Sequence, residues 1–184
     1  VDVVTDALKG CDKRILGPQY MTAGMPDGGS CHPRDNIAMR WLAQEVDLGY
    51  DLFNSVMLAR EVQAKNLADV LVLHAKAYDM KVIIVGKAYK ADVEYLHGSG
   101  SVLVGHYVKE AGVELHYYDT HTGDYYQSDV PAVYLLAHNF GKISEENTTN
   151  SVRILAESIV VDPWRQYENE NCTVIHYGNT RKLK

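Results

Sequence analysis

Apolar side chains recur at three- and four-residue spacing between Asn36 and Tyr78. Ile37, Trp41 and Leu42 open the series, and Leu52, Val56, Leu58, Ala59, Val62, Leu67, Val70, Leu71 and Leu73 continue it. That period predicts α-helix. Leu48-Gly49-Tyr50 breaks the run, and Asp51 is placed to cap a second helix. The second helix would be about 27 residues long, or about 40 Å at 1.5 Å per residue. A helix of that length in a short chain spans between domains or pairs with a copy of itself. The plainer alternative is two ordinary core helices. Upstream, Asp2 to Leu8 is helix-like and Gly10 is placed to end it. A breaker-rich stretch from Gly17-Pro18 through Gly28-Gly29 and Pro33 follows, and Asp35 reads as the N-cap of the helix after it.

Past Asp79-Met80 the pattern changes. Lys81 to Gly86 reads as a buried strand and Ser99 to Glu110 as a helix closed by Gly112. Further strands are predicted at Val113 to Tyr118, Ala132 to Ala137 and Ser158 to Asp162, with a fifth at Thr173 to Tyr177. The fold class expected is α/β: a helical segment over 1–80, then a small Rossmann-like domain over 81–184 with a mostly parallel sheet. Ligands of such sheets sit at the C-terminal strand ends. Those ends are Gly86 to Lys90, Asp119-Thr120-His121, His138-Asn139 and Asp162-Pro163-Trp164-Arg165.

The 184 residues carry a formal net charge of −6, which argues against a nucleic-acid partner. No apolar run is long enough to span a membrane. Cys11, Cys31 and Cys172 are too few and too scattered for a disulfide framework, so a reducing, cytoplasmic setting is expected. No His pair has metal-ligand spacing, so no metal is expected. The chain begins at Val1 in what reads as the middle of a helix, which suggests a fragment.

Gly28-Gly29-Ser30-Cys31-His32-Pro33-Arg34-Asp35 is the most informative stretch. Paired glycines let backbone approach a ligand closely. A cysteine at a helix start beside an arginine favours the thiolate, a nucleophile toward aldehyde or acyl carbon. Asp35 can act as a base or position a water. The plainer reading is a small buried cysteine and a helix cap. Cys31 and His32, as neighbours on a loop, are expected to point apart. Lys87, Lys90 and Arg165 follow strand ends and suit a diphosphate, with Tyr89 able to stack on a base or ribose. The plainer reading is three solvated cations. GKAYK is neither a dinucleotide fingerprint nor a Walker loop. Tyr117, Tyr118, Tyr125 and Tyr126 read as a strand end plus a wet loop.

Three co-linear motifs, GGSCHPRDNIAM (28–39), KVIIVGKAYKADV (81–93) and EAGVELHYYD (110–119), resemble the C-terminal half of the UDP-glucose/GDP-mannose dehydrogenase family. The resemblance runs from about residue 1 to about residue 165. It implies NAD-dependent oxidation of a nucleotide sugar's C6 alcohol to a carboxylate through a cysteine thiohemiacetal and thioester. Cys31 and Asp35 are then the implied catalytic residues. Tyr20, Gly28, Gly29, Tyr89, Lys90 and Arg165 are the implied substrate contacts, and Arg34 and His97 the implied cofactor contacts. The long helix implies a homodimer. His97 stands where the family commonly has arginine, which departs from the pattern. The family's glycine-rich NAD domain has no counterpart here, so NAD would be bound mainly by a domain missing from this chain. A non-catalytic nucleotide-binding or dimerising module is the alternative. A flavodoxin-like response domain would need an acidic pocket that the sequence lacks.

Overall fold

The computed structural model describes residues 1–10, 21–25, 29–141 and 152–178. Helix α1 is Asp2–Lys9, α2 is Cys31–Glu45 and α3 is Leu52–Tyr78. Strand β1 (Val82–Val85), helix α4 (Gly100–Glu110), and strands β2 (Leu115–Asp119), β3 (Asp124–Tyr125), β4 (Val133–Leu136), β5 (Ile159–Val161) and β6 (Thr173–Ile175) follow. The fold is α/β, as the pattern predicted.

Helix α3 has the expected 27 residues and the expected cap: the Asp51 carboxylate accepts from the Asn54 amide at 2.9 Å. It ends where Asp79 turns left-handed at φ 53°. Ser99 caps α4 by accepting from the Val102 amide. One expectation fails. Asp35 is not a cap, because α2 begins four residues earlier, at Cys31, with Ser30 as its N-cap. Pro33 does not stop the helix because it lies in the first turn, where backbone N–H groups have no intrahelical acceptor. The first amide to bond within the helix frame is that of Arg34, to the Ser30 carbonyl. Gly10 ends α1 without turning left-handed (φ −72°), so α1 stops without the glycine conformation its sequence offered.

The sheet order is β3-β2-β1-β4-β5-β6. Every pairing is parallel except the short β2–β3 hairpin, which the hydrophobic pattern did not reveal. Strand order reverses between β1 and β4, the switch point at which doubly wound sheets bind ligands. β1, β4 and β5 are buried on both faces, consistent with continuous apolar runs.

Helices α3 and α4 cover one face. Ala64, Leu67, Ala68, Leu71 and Ala75 of α3 pack with Val82, Ile84, Val104, Val108, Val133 and Leu135. The C-terminal half of the long helix is therefore core of the sheet. On the other face, Ile83, Val85, Tyr134, Leu136 and Val160 meet Val152 and Tyr167 from the connecting segments.

The tyrosine group divides as a strand end plus loop should. Tyr118 is buried, Tyr125 is exposed, and Tyr126 stacks on His116 with centroids 3.6 Å apart. Burial pushes the Tyr117 hydroxyl up to about 12, with Asp124 adding to it.

Leu71 has no exposed surface. Leu71→Ala is expected to remove about 2–5 kcal/mol of stability. Urea unfolding followed by circular dichroism checks this. An unchanged midpoint would contradict a shared core between α3 and the sheet.

Candidate functional site

Two buried carboxylates shape the loops at the C-terminal end of the sheet. Asp119, at the end of β2, accepts from the amides of Lys87 (2.8 Å), Ala88 (3.0 Å) and His121 (3.0 Å). Asp162, just after β5, accepts from the amides of Trp164, Gln166 and Tyr167 at 2.7–2.9 Å. A carboxylate taken from water needs such donors to offset its desolvation. In return it fixes the backbone that follows β1 and β5. The His138 imidazole bonds the Ala88 carbonyl at 2.9 Å, and the Ser99 hydroxyl donates to the Lys87 carbonyl at 2.7 Å. The turn after β1 is thus held from three sides.

A cavity of about 330 Å³ opens among these loops. Tyr89, Lys90 and Ala91 border it from the turn after β1, Gly100 and Ser101 from the first turn of α4, and Ala137, His138 and Asn139 from the end of β4. Trp164 closes it from the turn after β5, and Met25 from the segment before α2. The Trp164 ring is fixed by its indole N–H, which donates to the Ala137 carbonyl at 3.1 Å. That ring also lies against Gly24, where an added Cβ would come within 2.4 Å. Tyr89, His138 and Trp164 give the cavity aromatic walls, and no carboxylate among the described residues borders it. The start of a helix and one ammonium, Lys90, face it, which suits an anion attached to a flat ring.

The segment leading into α2 docks beside this cavity. The Gly29 amide donates to the Gly98 carbonyl at 3.3 Å. Gly29 has φ +93°, and a Cβ there would meet the Tyr89 ring at 3.2 Å. Cys31 follows as the first residue of α2 and is exposed. Arg34 Nε donates to Asp35 Oδ1 at 2.7 Å, with both side chains exposed at the surface. Arg34 holds the Asp35 carboxyl below the usual carboxylate range, chiefly by that hydrogen bond. The same bond raises Arg34, and Cys31 adds a smaller contribution of the same sign.

The sequence-based site residues separate into groups. Gly29, Tyr89 and Lys90 come together, and Cys31 sits two residues along from Gly29. His97 is exposed and tilts against Tyr95, 5.2 Å between centroids, beside Gly98. Tyr20 and Gly28 lie outside the described residues. The three-cation cluster does not form. Lys87 turns away and pairs with Asp124 at 2.9 Å. Arg165 is taken by Asp2 (2.9 Å) and the Tyr177 carbonyl (2.9 Å), and it lines a second cavity with Thr22, Gln63 and Tyr177. Both cations have found partners remote in sequence, Asp2 being 163 positions from Arg165. Met25, Gly100 and Ser101 were not read from the sequence; the strand-end rule placed Asp119, His138 and Trp164 at the ligand rim but did not give the backbone bonds they make. The Tyr-Asp end of the third motif was the available signal for Asp119.

Residues 1–61 match the UDP-glucose/GDP-mannose dehydrogenase family, central domain. The GDP-mannose 6-dehydrogenase of Pseudomonas putida is 29% identical over 134 residues, covering 67% of this chain and 30% of that protein. The UDP-glucose 6-dehydrogenase of Mus musculus is 28% identical over 123 residues, covering 65% and 24%. The chain thus spans a third or less of the length of these curated relatives. In fold, it is similar to a UDP-glucose dehydrogenase from Pyrobaculum islandicum, with TM-score 0.69 and 20% identity over 94% of this chain and 42% of that one. A GDP-mannose dehydrogenase from Pseudomonas aeruginosa gives TM-score 0.59 and 20% identity over 94% and 45%. Motif, sequence and fold comparisons all point to the UDP-glucose/GDP-mannose dehydrogenase family, whose central-domain model matches residues 1–61.

Proposed function

We propose that this chain is the C-terminal part of an NAD-dependent nucleotide-sugar 6-dehydrogenase, supplying its cysteine nucleophile and its nucleotide-sugar cavity. One observation carries this reading. The turn bearing Cys31 is seated through Gly29 against Tyr89, on the rim of a cavity that opens at the start of α4 beside Lys90. The diphosphate of a nucleotide sugar would sit at Gly100 and Ser101, with Lys90 as its charged partner. Tyr89 and Trp164 would flank its base or ribose. The sugar would reach toward Cys31. Residues 1–80 would carry the cysteine turn and the dimerisation helices, and residues 81–184 the nucleotide-sugar domain.

In the proposed chemistry the Cys31 thiolate adds to the carbon of a C6 aldehyde, forming a C–S bond and a thiohemiacetal. Loss of the C6 hydride to the acceptor and of the hydroxyl proton to solvent leaves a thioester. Water then adds to the thioester carbon, the C–S bond breaks, and the products are a carboxylate and the free thiol. Asp35, kept ionised by Arg34, would accept a hydrogen bond from that water. NAD would be the hydride acceptor. The turn after β1, Gly86 to Lys90, lacks the glycine-rich dinucleotide pattern, and Gly86 packs on the His138 ring, which a Cβ there would meet at 2.5 Å. NAD would therefore be bound mainly by residues beyond this chain, with Arg34 and His97 at its edge. Arg165, held by Asp2, would support the wall behind Trp164.

A homodimer through the long helix is part of the same reading. Trp41 (61%), Leu58 (57%) and Val62 (56%) are exposed on α2 and α3, where monomeric proteins rarely show contiguous apolar surface. No helix of the described residues is long and apolar enough to cross a membrane. A cytoplasmic setting is proposed with the rest.

UDP at 100 times its Kd is expected to stabilise the chain by about 2.7 kcal/mol, read as a rise in Tm. Lys90→Ala is expected to weaken UDP binding by about tenfold, as loss of a charge-assisted contact should. A wild-type chain whose Tm ignores both UDP and GDP would contradict the proposed cavity. The Asp35 carboxyl should titrate by carbon NMR below the ordinary value of about 3.9, and return to it in Arg34→Met. Because the shift is downward, the pair contributes at neutral pH and is lost only as pH falls through the folded-state midpoint. An ordinary midpoint in the wild type would contradict the pairing.

A further inference from the structure

The Gly98 carbonyl receives two donors from two different segments. One is the Gly29 amide at 3.3 Å, and the other is Arg60 Nη2 of α3 at 3.0 Å. Gly98 has φ +74°, and a Cβ there would lie 2.2 Å from the Gly29 carbonyl oxygen and 2.8 Å from the Ser30 nitrogen. Those neighbours are backbone and cannot swing aside, so the approach of the two loops leaves no room for a side chain at Gly98.

Each side of the contact leads to a different functional feature. Through Ser30 it leads to Cys31 and the first turn of α2. Toward the cavity, the Leu96 carbonyl accepts from the Ser99 amide at 3.0 Å, and the Tyr95 carbonyl accepts from the Tyr89 amide at 3.2 Å. The Gly98 loop is therefore fastened both to the start of α4 and to Tyr89. Arg60 anchors the junction to α3, whose next turns are sheet core.

We propose that Arg60 is a positioning residue for Cys31. Its guanidinium and the Gly29 amide share the Gly98 carbonyl, and this junction fixes the cysteine turn relative to the Tyr89–Lys90 cavity. The proposal rests on the reading of Cys31 as nucleophile for its purpose, but not for its test. Arg60 does not border the cavity, and it reaches the cysteine turn through the Gly98 carbonyl. A hydrogen bond from an ionised donor is stronger than one from a neutral donor, so its loss should be felt locally. Without it, Gly98 keeps only the longer of its two bonds. The turn at 29–34 then opens more often, and the sulfur spends less time at the start of α2.

The experiment compares the wild-type chain with Arg60→Met, which keeps the apolar stem, and Arg60→Lys, which restores a cationic donor. Hydrogen exchange by mass spectrometry reads the 29–34 segment and β1, and iodoacetamide reads Cys31 against Cys172. Arg60→Met is expected to speed exchange at 29–34 by about tenfold. It should change the Cys31 alkylation rate, leaving β1 and Cys172 as in the wild type. Arg60→Lys should recover most of both effects. Unchanged exchange and alkylation in Arg60→Met would overturn the proposal. So would loss of protection throughout β1, because Arg60 would then be a general stability residue. Failure of Lys to rescue would also overturn it. Absence of UDP binding by the wild type would instead remove the nucleotide-sugar reading, and the exchange and alkylation rates would still decide the role of Arg60.

Discussion

The Asp119 carboxylate is the contact on which the rest of the site depends. It is buried at the end of β2 and takes the amides of Lys87 and Ala88. Those two bonds bend the chain as it leaves β1, the strand at the sheet's centre of reversal. Tyr89 and Lys90 are thereby turned toward the cavity rather than onward along the strand. An uncompensated carboxylate there would be costly, so the amides and the carboxylate hold each other in place. Asp162 repeats the arrangement after β5 and sets Trp164 on the opposite wall.

The cysteine turn is a second layer on that frame. It is seated through the Gly29–Gly98 approach and the Tyr89 ring. Chemistry at Cys31 and recognition at the cavity therefore share one small set of backbone contacts. The long helix ties both to the core: its C-terminal half packs on the sheet, and Arg60, one turn before that half, reaches the junction. Its remaining apolar surface faces outward with α2.

Much of the fold was legible because it rests on local rules. Apolar spacing located α3, Asp51 announced its cap, and apolar runs marked β1, β4 and β5. The start of α2 was misread because Pro33 looks like a breaker, although a first-turn proline forfeits no hydrogen bond. The site was legible where a motif keeps its residues close in sequence, as in Gly29 with Cys31 and Tyr89 with Lys90. It was illegible where partners are remote. Nothing near Arg165 announces Asp2, and nothing near Lys87 announces Asp124, so two engaged cations resembled a phosphate cluster. The two-residue strand β3 is too short to show a period. Gly98 reads as a loop glycine until Gly29 is seen against it.

A crystal structure of the chain with a UDP-sugar or GDP-sugar tests the central claim most directly. The account predicts the diphosphate at Gly100 and Ser101 beside Lys90, with the sugar directed toward the Cys31 sulfur. A nucleotide bound elsewhere, or a sugar directed away from Cys31 with the diphosphate in that cavity, would contradict it.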